Sequence, residues 1–142
     1  MVIKQNDDYI RIGRKGRHSI LDLIKACKKY GLTCTDEMVE WARTHSLEIN
    51  GCGAKGGTKF PETMLFLEIV WACYLHDIRW GMATTKEALH IGNYEFETNL
   101  ERIVDMDSCC TFVKWMRSYR ITTYINAIKY VGTQAEIARQ GL

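Results

Sequence analysis

The residues best suited to chemistry lie in two short stretches. The first is a glycine-rich run, Asn50-Gly51-Cys52-Gly53-Ala54-Lys55-Gly56-Gly57. The second follows about twenty residues later as Ala72-Cys73-Tyr74-Leu75-His76-Asp77. Glycines this dense free the backbone to take positive φ, so several carbonyls or amides can turn toward one point. His76 and Asp77 are adjacent on a predicted helix and therefore point about 100° apart. They do not form one chelating pair, but they can serve two neighbouring functions. The Asp77 carboxylate can hold a hard cation together with loop carbonyls, since calcium takes oxygen ligands in flexible loops. The His76 imidazole can take a proton from a water beside that cation. The same spacing is also met by a satisfied core histidine beside a solvent-facing acid.

The elements that position these groups read as helices. Ser19 with Asp22 has capping-box spacing, Ile20, Leu23, Ile24, Cys27 and Tyr30 recur at helical period, and Gly31 supplies a stop. A second helix starts at Thr35, with Met38, Trp41, Ala42 and His45 on one face. Pro61 fits the first turn of a third helix running to about Trp80, apolar nearly all round and hence central. Gly81 breaks it. Thr84 with Glu87 caps a fourth helix from Thr85 to about Val104, with Ala88, Ile91, Phe96, Leu100 and Ile103 inward. Asp107 or Ser108 opens a fifth helix ending at Gly132, and a short last helix covers Gln134 to Arg139. The class is all-α.

Composition narrows the function classes. The chain has 142 residues, 46% hydrophobic and 25% charged, with one proline. That is one globular domain, able to bury roughly two-thirds of its unfolded surface. A net charge of +2 gives no general electrostatic case for nucleic acid. The segment from Met1 to Arg17 is polar and basic and reads as a flexible arm or a short strand, without the apolar region of a secretory signal. No apolar run is long enough to span a membrane. Six cysteines without a CxxC pair read mostly as reduced, half-buried thiols, the adjacent Cys109 and Cys110 included. His45 and His90 read as surface or boundary residues. Lys114, Arg117, Arg120 and Lys129 could form a basic stripe interleaved with Trp115, Tyr119 and Tyr124, facing nucleic acid or lipid. The commoner alternative is a solvated face with the aromatics in the core.

At Cys52-Gly53, Gly56-Gly57 and Cys73-Tyr74-Leu75-His76-Asp77 the sequence resembles the phospholipase A2 superfamily, with its C-G-x-G-G calcium loop and C-x-x-H-D helix. Phe96 and Asn99-Leu100 resemble an F-x-x-N-L pattern typical of the bacteriophage- and prophage-encoded members. The likeness covers about Ile49 to Val104. It implies His76 as general base and Asp77 as calcium carboxylate, with carbonyls around Gly51, Gly53 and Lys55 or Gly56 completing a Ca2+ site. It also implies that Cys52 and Cys73 lie close together.

Three positions depart from the family. Ala54 and Lys55 lengthen the loop by one residue and bring in a positive charge. Asn93 stands where the family has the aspartate that orients the histidine. Trp80 replaces a tyrosine and can only donate a hydrogen bond, although it could still join a neutral network with Asn93.

The expected architecture is a phospholipase A2-like core of two long antiparallel helices over residues 49–142, preceded by a basic arm (1–17) and a helical extension (18–48). The expected function is that of a phage-encoded, catalytically degenerate relative that binds a host or virion protein, such as a host-defence component. Its place would be the host bacterial cytoplasm or the virion. The alternative is a calcium-dependent esterase acting on the sn-2 ester of phospholipids, in contact with a phospholipid surface.

Overall fold

The computed structural model describes residues 7–53, 61–64, 67–107 and 110–142. It is mostly helical. The chain opens with a 3-10 turn (Asp7–Tyr9), strand β1 (Arg11–Ile12), a second turn (Arg14–Gly16) and strand β2 (His18–Ser19). The strands pair antiparallel, with Arg11 opposite Ser19 and Ile12 opposite His18. Residues 7–17 are therefore not the free basic arm expected from their polarity. Ile12 is 1% exposed, and the Gly13 amide donates to Ile49 O at 2.9 Å. Buried Asp8 receives the Arg43 guanidinium at 2.7 Å. With both side chains buried, loss of either one would leave an uncompensated charge inside the protein.

Helix α1 (Ile20–Tyr30) has the capping box expected at its start. Ser19 Oγ accepts from the Asp22 amide at 3.2 Å, and Asp22 Oδ2 accepts from the Ser19 amide at 2.8 Å. Gly31 ends the helix at φ 66°. Helix α2 (Asp36–Thr44) uses Thr35 as its cap rather than its first residue. Met38, Val39 and Ala42 face the core, while His45 is stacked on Trp41 outside it.

The third helix starts later than Pro61. Strands β3 (Thr63–Met64) and β4 (Leu67–Glu68) form a short antiparallel hairpin, closed by the Ile69 amide on Glu62 O at 2.9 Å. Helix α3 runs only over Val70–Met82. The apolar run before it alternates in burial, with Leu67 and Ile69 inside and Glu68 between them, which is strand rather than helix periodicity. Gly81 does not break α3; it lies in the last turn. Its role is close approach, because a Cβ there would sit 2.2 Å from the Trp41 ring. Gly81→Ala is accordingly expected to lower stability by about 1–3 kcal/mol, the usual range for overpacking. That loss outweighs the roughly 1 kcal/mol gain in helix propensity. A urea midpoint equal to or above the parent's would contradict this packing.

Helix α4 (Lys86–Asp107) is capped by Thr85, one residue after the expected Thr84, with the Ala88 amide donating to Thr85 Oγ1 at 3.1 Å. Its buried face is Leu89, Asn93, Phe96, Leu100 and Ile103; Ile91 is exposed. Trp80 meets Leu89 and His76 meets Asn93, so α3 and α4 run antiparallel.

Helix α5 (Thr111–Ala127) begins after Cys110, since Asp107 still belongs to α4. It does not stop at Gly132. It continues through a π-helical turn (Ile128–Gly132) into α6 (Thr133–Gln140). Gly132 keeps helical angles, φ −63° and ψ −40°, and the stop comes at Gly141, φ 71°. The core face of α5 is Ile121, Tyr124 and Ile125. Phe112, Trp115 and Tyr119 are exposed beside Lys114, Arg120 and Lys129, so the aromatics at 115 and 119 are not in the core, while Tyr124 is. Arg117 leaves the basic stripe: it is buried, and its guanidinium donates to Asp107 O at 3.2 Å. Lys114 pairs with Asp105 at 2.8 Å, and Arg120 is exposed.

Candidate active site

His76 and Asp77 both line a cavity of about 420 Å³ enclosed by α3, α4, residues 50–53 and the long C-terminal helix. Its wall is largely apolar, with Trp80, Phe96, Tyr124, Ile128 and Val131 among the lining residues. A cavity of this size and character suits an apolar ligand oriented by few polar groups.

His76 is buried, 7% exposed, between the rings of Trp80 and Phe96, whose centroids lie 4.3 and 4.7 Å from its own. Nε2 is 2.8 Å from Asn93 Oδ1. Asn93 Nδ2 in turn is 2.9 Å from Thr133 Oγ1. Burial pushes the imidazole down to about pH 4; the Asn93 contact and the Glu136 carboxylate oppose that shift without reversing it. The ring is neutral at physiological pH, the form in which it can accept a proton.

Asp77 points to the glycine loop and is not the solvent-facing acid of the bland alternative. Its Oδ2 accepts from the Asn50 and Gly51 amides, both at 3.0 Å. Gly51 and Gly53 sit at φ 98° and 114°, backbone conformations that favour glycine. The Cys52–Cys73 disulfide ties this loop to α3, with Cα atoms 5.0 Å apart. The two cysteines expected to lie close together are thus joined, while Cys27 and Cys34 are free. Burial raises the Asp77 carboxyl well above its ordinary value, and the two amides only partly offset this. Lys55 and Gly56 lie outside the described residues.

Trp80 does not join Asn93. Its indole N–H donates to Leu89 O at 3.2 Å, and the ring serves as a wall against His76. Neither Glu95 nor Glu97 of α4 is paired with His76. Glu95 is held by Arg79 at 2.6 Å and Glu97 by Lys129 at 3.0 Å. Two participants were not foreseen. Thr133 enters through the π turn, which left no signal in the hydrophobic pattern. Tyr124, which sequence places only in an aromatic stripe, lines the cavity with its hydroxyl 3.8 Å from Cys73 Sγ.

Among the described residues no group of three or more His, Cys, Asp or Glu side chains could hold a metal ion. A cation here would depend on one carboxylate and backbone carbonyls. Among the described residues, too, no helix is long and apolar enough to cross a membrane. No family model, curated protein or solved structure matches the chain.

Proposed function

We propose that this chain is a phospholipase A2-like protein of the bacteriophage-encoded type, and that its cavity carries out slow, calcium-dependent hydrolysis of a phospholipid acyl ester. One observation carries the reading: a neutral, buried imidazole and a loop-facing carboxylate open side by side into one apolar cavity. The apolar wall suits an acyl chain. His76 would take the proton of a water as that water attacks the ester carbonyl. It would then give the proton to the departing alcohol oxygen, leaving a free fatty acid and a lysophospholipid.

The donor set fits calcium. Both backbone amides fall on Oδ2 of Asp77, and a desolvated carboxylate gains most from a cation. Asp77 and the Gly51 and Gly53 carbonyls would hold the ion, the Cys52 carbonyl being taken by Arg14, and the ion would polarise the ester carbonyl as a Lewis acid. Asn93 positions His76 but supplies no negative charge to the imidazolium, which is why turnover would be slow.

The test is fatty-acid release from mixed phospholipid vesicles with calcium or a chelator, beside His76→Gln. Release that needs both calcium and His76 is the expected result. A folded sample with no turnover above His76→Gln would overturn the reading.

The second reading, a degenerate pocket on a protein that binds a host or virion partner, draws on two observations. The dyad is neutral, and α5 exposes Phe112, Trp115 and Tyr119 in one helical stripe.

A further inference from the structure

We infer that Thr133, acting through Asn93, selects the tautomer of His76 that leaves Nδ1 bare. The inference concerns the same site as the proposed hydrolysis and rests on that reading only for the use made of the nitrogen.

The Ile128 carbonyl can only accept hydrogen bonds. The π turn brings the Thr133 amide back onto it, five residues on. The Thr133 hydroxyl reaches the same oxygen at 2.8 Å and must donate to it. Thr133 Oγ1 then has only lone pairs left for Asn93, 2.9 Å away, so the group facing it must be the amide Nδ2. This turns Asn93 Oδ1 toward His76, 2.8 Å from Nε2. An amide oxygen cannot donate, so Nε2 carries the ring proton and Nδ1 is left as the base.

Each link is buried: Thr133 is 0% and Asn93 3% exposed, so bulk water does not compete. The π turn is essential. In an ordinary helix a threonine hydroxyl reaches back three or four residues, to a different carbonyl. The reverse order is chemically possible, with Thr133 donating to Asn93 Oδ1 and Nδ2 donating to His76 Nε2. It would place the ring proton on Nδ1 and remove the base. The first order satisfies Ile128 O twice; the reverse gives up its contact with the hydroxyl.

Thr133 is therefore a positioning residue, and the conservative change Thr133→Ser should preserve its role. Ring tautomers are read directly by nitrogen-15 NMR of histidine-labelled protein at neutral pH, with His76→Gln assigning the signal. The wild type and Thr133→Ser are expected to show a protonated Nε2 and a bare Nδ1. Thr133→Val keeps the shape but cannot accept from Asn93, so the protonated-Nδ1 form is expected to appear. If Thr133→Val does not fold, Thr133→Ala makes the same test. A protonated Nδ1 in the wild type overturns the inference. So does an unchanged His76 tautomer in a folded variant lacking the hydroxyl. None of these measurements needs substrate or turnover, so loss of the hydrolysis reading and loss of this one are separable.

Discussion

Asn93→Asp is expected to raise the rate of calcium-dependent hydrolysis by two or more orders of magnitude. The scale comes from serine proteases, where neutralising the acid behind the catalytic histidine costs on the order of 10⁴. The geometry to receive the charge already exists, since Asn93 Oδ1 stands 2.8 Å from Nε2. What Asn93 lacks is a means of stabilising the imidazolium as it forms. Burial holds the ring down to about pH 4, so taking up a proton is uphill at neutral pH. A carboxylate at position 93 would raise that value, strengthening the base. The acid limb of the rate profile should then move to higher pH as the rate rises. Both are read from kcat/KM against pH, with Asn93→Leu as the control that fills the space without a hydrogen bond. A rate and a profile unchanged in Asn93→Asp would mean that proton transfer to His76 does not limit the reaction. Thr133 can accommodate the change, because its hydroxyl can turn from Ile128 O to donate to the new carboxylate.

The sequence carried local features best. Ser19, Asp22 and Gly31 define α1 because a cap is a contract among residues three apart, and nothing distant can rewrite it. His76, Asp77 and the glycine loop were readable for a related reason: their types and spacing restrict what they can do. Errors arose where distant packing decides. The apolar stretch after Pro61 satisfies both helix and strand patterns over its short length, and only the hairpin closed by Glu62 and Ile69 resolves it. Helical period on α5 located a helix but not its inner face, so Trp115 and Tyr119 were equally consistent with core and surface. Gly132 looked like a stop because glycine commonly ends helices. Here it keeps right-handed angles, and the helix absorbs one extra residue as a π turn. That turn places Thr133 under Asn93, forty residues earlier in the chain, a relation no local pattern encodes.

The second large effect belongs to Asp77→Asn, which is expected to abolish hydrolysis while stabilising the calcium-free protein. Asparagine keeps an oxygen to accept from the Asn50 and Gly51 amides but removes the buried charge. The sign follows from linkage. Asp77 has its folded value raised, so across the window above its ordinary value the folded state binds more protons than the unfolded one. Stability therefore falls as pH rises through that window. His76 works oppositely. Its folded value is lowered to about 4 from 6.5, so its contribution to stability grows as pH rises from about 4 to 6.5 and is lost on acidification. Asp77→Asn removes the Asp77 dependence and keeps that of His76, so stability rises between about pH 4 and 6.5 without the fall that Asp77 imposes. A gain of about 0.5–2 kcal/mol at neutral pH is typical when a functional site is relieved of its strain.

Calcium should reverse the ranking. A ligand at a hundred times its Kd stabilises by about 2.7 kcal/mol, and only the wild type has the carboxylate to bind it. Thermal melts with calcium and with chelator would thus show the two proteins exchanging order. If Asp77→Asn instead melts lower in chelator, the carboxylate's main task is clamping the loop through the Asn50 and Gly51 amides. If calcium moves neither melt, the loop holds no cation, and a carboxylate kept there against its desolvation penalty would be explained by that clamp alone.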